Sequence, residues 1–320
     1  MLLGQFGPSF LSPHSLYSLI HSISLVPDMD PDPYERAWLI GLSHGDSVDD
    51  LQRNISRDPI FDRESLRPWN GYGAADPFAI FVRDRWYLFF ELLVRNEGNA
   101  VIAVASSYDL KQWQVLGIAL KESHHLSYPF VFEHGGEIYM MPESKSVRQV
   151  NLYRAVDFPL RWERCATLVT GAIMDASIIQ HRDRWWMFAG WKSYWLKLFH
   201  APSPLGPWQS HWMPIARAYS KKNVRPGGRP VHMPVHIADG KGSILRFAQD
   251  NRKCYGHQIQ AMKVTQLNRL WFRERPYREE PIFSPAGTGW YCDRMHHLDL
   301  HPNISNTFPG RWIGFVDGCN

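Results

Sequence analysis

Three stretches of this chain repeat one pattern, and that repetition constrains the fold more than anything else in the sequence. Ala74–Glu91 (AADPFAIFVRDRWYLFFE), Leu126–Glu143 (LSYPFVFEHGGEIYMMPE) and Ile173–Gly190 (IMDASIIQHRDRWWMFAG) each read as a short apolar strand, a turn and an aromatic-rich apolar strand. Aligned on the turn, Asp76, Tyr128 and Asp175 share one position, and Glu91, Glu143 and Gly190 share a second, fifteen residues later. A period of about 50 residues built from short strands marks a propeller or an array. A propeller gathers the equivalent position of every blade around one axis, so carboxylates far apart in sequence would converge.

The units continue beyond these pairs of strands. Val101–Ala105, Val150–Arg154 and Leu196–His200 supply third strands, each followed by a turn that a tryptophan closes: Trp113, Trp162 and Trp208. Packing of these indoles between neighbouring blades is the plain expectation. A fourth unit opens at RPGGRP (Arg225–Pro230) and continues through Ser243–Ala248 and Gln258–Val264. A fifth opens at Arg294–Asp299 and runs into Arg311–Val316 without an outer strand of its own. The early strand Trp38–Leu42 can supply one, closing the ring and removing an exposed edge. The expectation is an all-β, single-domain, five-bladed β-propeller over residues 34–320, preceded by an irregular leader at 1–33.

Composition narrows the function classes. Among 320 residues, 44% are hydrophobic and 14% aromatic, ample for a buried core. A formal net charge of +4 without a long Lys/Arg run gives no reason to expect nucleic acid. The densest basic stretch, Arg217–Arg229 with Lys221 and Lys222, reads as a solvated loop or as an anion-binding rim. Four scattered cysteines without metal spacing read as reduced thiols. No apolar run of membrane-spanning length exists, and the N-terminus lacks the charged flank of a signal peptide. A cytoplasmic protein without a membrane span is expected.

Asp76, Asp175, Glu143 and Glu91 are the candidate channel carboxylates, and Asp250 and Asp317, which end strands of later units, are further candidates, Asp250 for substrate or anion binding. Each also has a structural reading: Asp76 before Pro77 can cap a turn, and Glu143 before Ser144 can hold backbone groups at a strand end. Arg225, Arg229, His296 and His297 can hold a phosphate through charge-assisted hydrogen bonds, or the arginines can brace carboxylates. His296-His297-x-Asp299 contains metal-ligand residue types. On a strand, however, His297 and Asp299 share a face while His296 points away. No metal and no cofactor are expected.

The motifs ADPF, HLSYPFVFEHGGEIYMMPES, LYRAVDFPLRW, RPGGR, RFAQD, MHHLDLHP and GRWIGFVDG, in this order, resemble the N-terminal domain of plant glucosamine inositolphosphorylceramide transferases and its free-standing bacterial relatives. The likeness runs from about Trp38 to Gly318. More distantly, the ADPF opening and the SSYDLKQW turn resemble five-bladed glycosidases of the arabinanase, invertase and levansucrase kind. The resemblance implies a propeller that handles a glycan or phosphoglycan. In the plant proteins the transfer itself is expected from a separate glycosyltransferase domain. No such domain is expected within residues 1–320, so such an enzyme would be a partner.

From the glycosidases, Asp76 would be base or nucleophile and Asp175 the residue that orients the acid. The acid itself is usually a blade-four Glu, where this sequence has RPGGRP. Glu143, or Glu91, could replace it, since burial raises a carboxyl pKa. Otherwise an anion occupies its place, as in phosphorolysis. The reading is a carbohydrate-active propeller with a glycosidase-like site, hydrolytic or phosphorolytic. The alternative is a glycan-binding module that assists a separate glycosyltransferase.

Overall fold

Alternating apolar strands split by tight turns can bury both faces only by stacking sheet upon sheet, and the chain does so five times. The computed structural model describes residues 37–192, 195–212, 215–216, 222–233, 243–305 and 307–320; the expected leader lies outside them. Blade one is Gly71–Val82, Arg85–Val94, Val101–Ser107 and Gln114–Leu120, paired antiparallel in that order from the axis outward. Blade two is Ser127–His134, Glu137–Ser144, Gln149–Asp157 and Arg161–Thr170. Blade three comprises Ile173–His181, Arg184–Trp191 and Trp195–Ala201, with short outer pieces Gln209–Ser210 and Ile215–Ala216.

In blade four the innermost strand is interrupted. Lys222–Pro226 and Val231–Met233 both pair with Ser243–Asp250, and Gln258–Leu267 and Phe272–Pro276 follow outward. Blade five has Leu298–Pro302 inside, Trp312–Cys319 in the middle and Trp38–Gly45 outside. Trp38 lies opposite Cys319 and Gly45 opposite Trp312, so the two ends of the propeller close its ring as expected. The described residues fall in one compact unit, Arg36–Asn320.

The turn tryptophans play one structural part in three blades. Each indole N–H donates to a carbonyl of its own turn: Trp113 to Leu110, Trp162 to Pro159 and Trp208 to Pro204. The Trp162 ring meets Phe89 of blade one at 5.4 Å, and Trp113 meets Phe315 of blade five at 6.0 Å. Burying a ring of this kind between sheets contributes on the order of 2–3 kcal/mol. The four cysteines are unpaired. Among the described residues no helix is long and apolar enough to cross a membrane.

Candidate active site at the channel mouth

The equivalent positions recognised in the sequence are β-bulges. In the innermost strands of blades one to three the register shifts between Ala75 and Phe78, Ser127 and Phe130, and Met174 and Ser177. The residue at each bulge is left-handed: Asp76 at φ 51°, Tyr128 at 48° and Asp175 at 50°. Asp tolerates this region better than most residues, whereas a tyrosine must be held there. A bulge frees one backbone N–H from the ladder and re-aims one side chain.

Those freed N–H groups meet carboxylates. Asp76 N–H donates to Asp317 Oδ2 at 3.1 Å, Tyr128 N–H to Asp76 Oδ2 at 3.2 Å, and Asp175 N–H to Glu143 Oε2 at 3.0 Å. The acceptor always belongs to the preceding blade, so the carboxylates form part of a ring that joins blade five to one, one to two and two to three. Glu91 holds the blade-one position matching Glu143, yet it turns to His125, whose Nε2 is 3.2 Å from Glu91 Oε1. Asp76 does for Tyr128 what Glu143 does for Asp175.

Tyr128 closes the channel beneath this ring. Its hydroxyl is 2.7 Å from Ser177 Oγ in blade three, and in blade four it donates to Gly228 O and accepts from Gly228 N–H at 2.8 Å. The ring packs edge-on against Phe78 at 4.8 Å and His297 at 5.1 Å. Contacts to the other four blades hold the tyrosine in its left-handed backbone.

Arg225 is the main cation of the cluster. Its guanidinium grips Asp175 through Nε and Nη2, and Nη2 is 3.8 Å from Glu143 Oε2. Gln249 Nε2 donates to the same Asp175 carboxylate at 3.2 Å. Burial pushes Glu143 well above the usual carboxylate range, and the charge of Asp175 adds to the rise against the pull of Arg225. For Asp175 itself burial acts upward, but the charge and hydrogen bonds of Arg225 outweigh it and hold the group below its ordinary value. Glu91 is also raised, chiefly by burial, against its hydrogen bond to His125. The pKa values of two neighbouring carboxyls are thus pushed apart, Glu143 upward and Asp175 downward.

The two histidines join the cluster from blade five. Asp317 Oδ1 accepts the backbone N–H groups of His296 and His297 at 3.1 and 2.9 Å. His296 Nδ1 is 2.7 Å from Asp317 Oδ2, a charge contact out of line with the ring N–H direction. Burial alone would lower the His296 pKa, but Asp317 overrides it and the group is pushed up to about 9. His297 Nδ1 lies 3.4 Å from Asp76 Oδ1, and neither of its buried ring nitrogens has a hydrogen-bond partner. Strand alternation would turn His296 from the face shared by His297 and Asp299. The strand begins only at Leu298, so alternation does not reach back that far. Asp76, His296 and Asp317 bring one ligand atom each within 4.8 Å of one another. The direct His296–Asp317 contact and the N–H bonds to both Asp317 oxygens make that trio an ion-paired hub. His297 faces Asp76, whereas Asp299 is taken up by Arg229 and His301.

Asp299 belongs to a deeper layer. Arg229 Nε donates to Asp299 Oδ1 at 2.7 Å, and Arg229 Nη2 donates to Val131 O at 3.0 Å while its guanidinium lies over Phe130 at 4.6 Å. His301 Nε2 is 2.7 Å from the other Asp299 oxygen. Arg229 also lines a cavity of about 350 Å3 with Trp185, His232 and Trp312. Arg225 and Arg229 therefore hold different carboxylates, Asp175 and Asp299. Asp250 stands apart from both, bound by Arg252 and Gln258. Lys221 of the basic stretch lies outside the described residues, as does the Lys222 side chain.

One residue of the mouth had no signal in the sequence. Tyr255, 45% exposed, lies over the Arg225 guanidinium at 5.2 Å and edge-on to His296 at 5.4 Å. Trp38 stacks on the face of His296 at 4.0 Å and meets Tyr255 edge-on at 6.5 Å. An exposed aromatic face beside paired carboxylates is the kind of surface on which a sugar ring stacks.

Comparison with known proteins fits this geometry. The family model described as "Glucosamine inositolphosphorylceramide transferase 1, N-terminal" matches residues 59–319. Glucosamine inositolphosphorylceramide transferase 1 of Oryza sativa subsp. japonica is 35% identical over 309 residues, 89% of this chain. The chain spans 40% of that relative's length. Among solved structures, an exo-β-1,3-galactanase of Clostridium thermocellum superposes with a TM-score of 0.55 at 12% identity, over 69% of this chain and 53% of that one. An α-L-arabinanase of Cellvibrio cellulosa gives 0.52 at 16% identity, over 68% and 84%. At these identities the structural likeness establishes a shared propeller fold.

Proposed function

The chain belongs to the family of the N-terminal region of glucosamine inositolphosphorylceramide transferases, and from that premise we propose that this propeller acts on a glycan or phosphoglycan at the mouth of its central channel by a glycosidase-like division of labour. Glu143 serves as proton donor to the leaving oxygen. Asp76 serves as the carboxylate that activates water or phosphate, or attacks the anomeric carbon. Asp175 positions Glu143 through its backbone N–H. One arrangement carries the reading: Glu143 accepts the Asp175 N–H at 3.0 Å beside an Asp175 carboxylate gripped by Arg225, so that burial raises the pKa of the first while Arg225 lowers that of the second. Tyr255 offers the sugar a platform, and Arg225 beneath it offers a phosphate-bearing sugar a cation. An amino sugar or phospho-inositol headgroup is the ligand class that the relatives' name suggests. A cytoplasmic location belongs to the same reading, given four unpaired thiols.

A second reading is a non-catalytic phosphoglycan-binding module that assists a separate glycosyltransferase. It is favoured by the grip of Arg225 on Asp175, which engages both oxygens of that carboxylate. Turnover of an aryl-glycoside panel, with and without phosphate, by wild type, Asp76→Asn and Glu143→Gln separates the two. Activity lost in both variants supports catalysis, and phosphate dependence identifies phosphorolysis. No turnover, combined with calorimetric binding of inositol phosphate that Arg225→Gln weakens, supports the module.

A further inference from the structure

Far along the blades from the carboxylate ring, three large apolar side chains stand together in solvent. Trp212 is 62% exposed, Leu270 64% and Trp271 46%. The Trp212 and Trp271 rings lie 6.4 Å apart. Hydrogen bonds tie these residues to one another. Asn268 Oδ1 accepts the N–H groups of Leu270 and Trp271 at 2.9 and 2.8 Å, and Asn268 N–H donates to Trp271 O. His211 Nε2 is 3.1 Å from Asn268 O, and Trp212 Nε1–H donates to Leu270 O at 3.1 Å, which ties the blade-three loop to the blade-four turn. Trp212 thereby uses its one polar atom inside the protein and presents only carbon outward.

Beside these side chains lies a cavity of about 480 Å3, walled by His181–Arg184 and Leu267–Trp271. Its walls contain Arg182, Arg184 and Arg269 against a single acid, Asp183. That acid is 83% exposed and 3.7 Å from Arg184 Nε, so it neutralises little. Exposed Trp and Leu side chains beside arginines fit neither solvent nor a polar partner. A second copy of the same face would set arginines against arginines across a two-fold axis, which opposes self-pairing.

We propose that the face formed by Trp212, Leu270 and Trp271, with Arg182, Arg184 and Arg269, docks the protein peripherally on a membrane surface that carries anionic phospholipid. The apolar tips enter the headgroup boundary while the arginines meet the lipid charge. No spanning segment is required.

Flotation of the full chain with vesicles tests this. Wild type is expected to float with phosphatidylcholine vesicles containing about one third phosphatidylserine and not with phosphatidylcholine alone, and to be released by salt. Leu270→Ala with Trp271→Ala should weaken binding by about tenfold or more. Arg269→Glu, at an exposed position remote from the core, should weaken it by at least about fivefold with unchanged melting temperature. The proposal is overturned if wild type floats with neither vesicle or equally with both, or if the double variant floats like wild type. It is also overturned if sedimentation shows a lipid-free dimer that the double variant dissolves, which would assign the face to a second copy.

Discussion

The Asp76 carboxylate accepts the backbone N–H of Tyr128 at 3.2 Å, joining two residues 52 positions apart that hold the same place in successive blades. The residue read as base or nucleophile is thus also a structural link, and its two parts can be separated by substitution.

Asp76→Asn keeps a side-chain oxygen for Tyr128 N–H and a residue type that tolerates φ 51°. It should fold with a loss of about 1 kcal/mol or less, yet abolish turnover. Asp76→Ala strands the buried N–H and places Ala in the left-handed region. A loss of about 2–4 kcal/mol is expected in urea unfolding. Equal destabilisation by the two changes would contradict the hydrogen-bonding role.

Arg225→Ala should be among the most damaging single changes. It leaves buried Asp175 without its counter-charge beside a second carboxyl, a situation that typically costs about 3–5 kcal/mol. Arg225→Lys keeps the charge but loses the two-pronged grip and should cost less. Chemical denaturation of both variants at neutral pH measures the difference, and a negligible effect of the alanine would show that the pair is not closed in solution.

Much of this site was legible because propeller periodicity turns sequence spacing into position. The shared place of Asp76, Tyr128 and Asp175 was readable from the turn alignment, and the closing strand at Trp38 from the missing edge of the fifth unit. That Arg225 and Arg229 can brace carboxylates was readable as well, but the choice of Asp175 by Arg225 was not, because it depends on side-chain reach between residues 50 apart. Nor was the separation of Arg225 from Arg229. Four positions apart in the chain, they serve different layers because Pro226–Gly228 breaks the inner strand between them. Tyr255 was invisible because the loop that carries it belongs to no repeat.

His296 gives a pH dependence with a definite sign. Its folded pKa, about 9, is raised above its ordinary 6.5, so its pairing with Asp317 stabilises fully below pH 6.5 and is lost as pH climbs through 9. The raised value corresponds to about 3 kcal/mol across that window. In His296→Gln the melting temperature should fall less steeply between pH 6.5 and 9 than in wild type. Parallel curves would place the alkaline transition elsewhere.

Gly228 tests the interrupted strand of blade four. It has φ 132°, and a Cβ there would collide with the Leu298 carbonyl in blade five. Both groups are backbone and cannot give way as a side chain would. Gly228→Ala should cost several kcal/mol, about 3 or more, or prevent folding. Wild-type stability in a purified variant would mean that RPGGRP is not packed against blade five.

Glu143 is where structure and chemistry can be read together. Its pKa is raised chiefly by burial, so its neutral form favours the fold at acid pH, and that contribution fades as pH rises through the raised value. Glutamine keeps the shape and is neutral at every pH. Relative to wild type, Glu143→Gln should therefore gain stability as pH increases, while Asp175 N–H retains an acceptor. If Glu143 is the proton donor, the same variant should lose turnover by about 100-fold or more on substrates with poor leaving groups. It should lose far less on those whose leaving group departs without protonation. A uniform loss across leaving groups, with the stability trend intact, would make Glu143 a buried structural acid and leave the protonation to another residue.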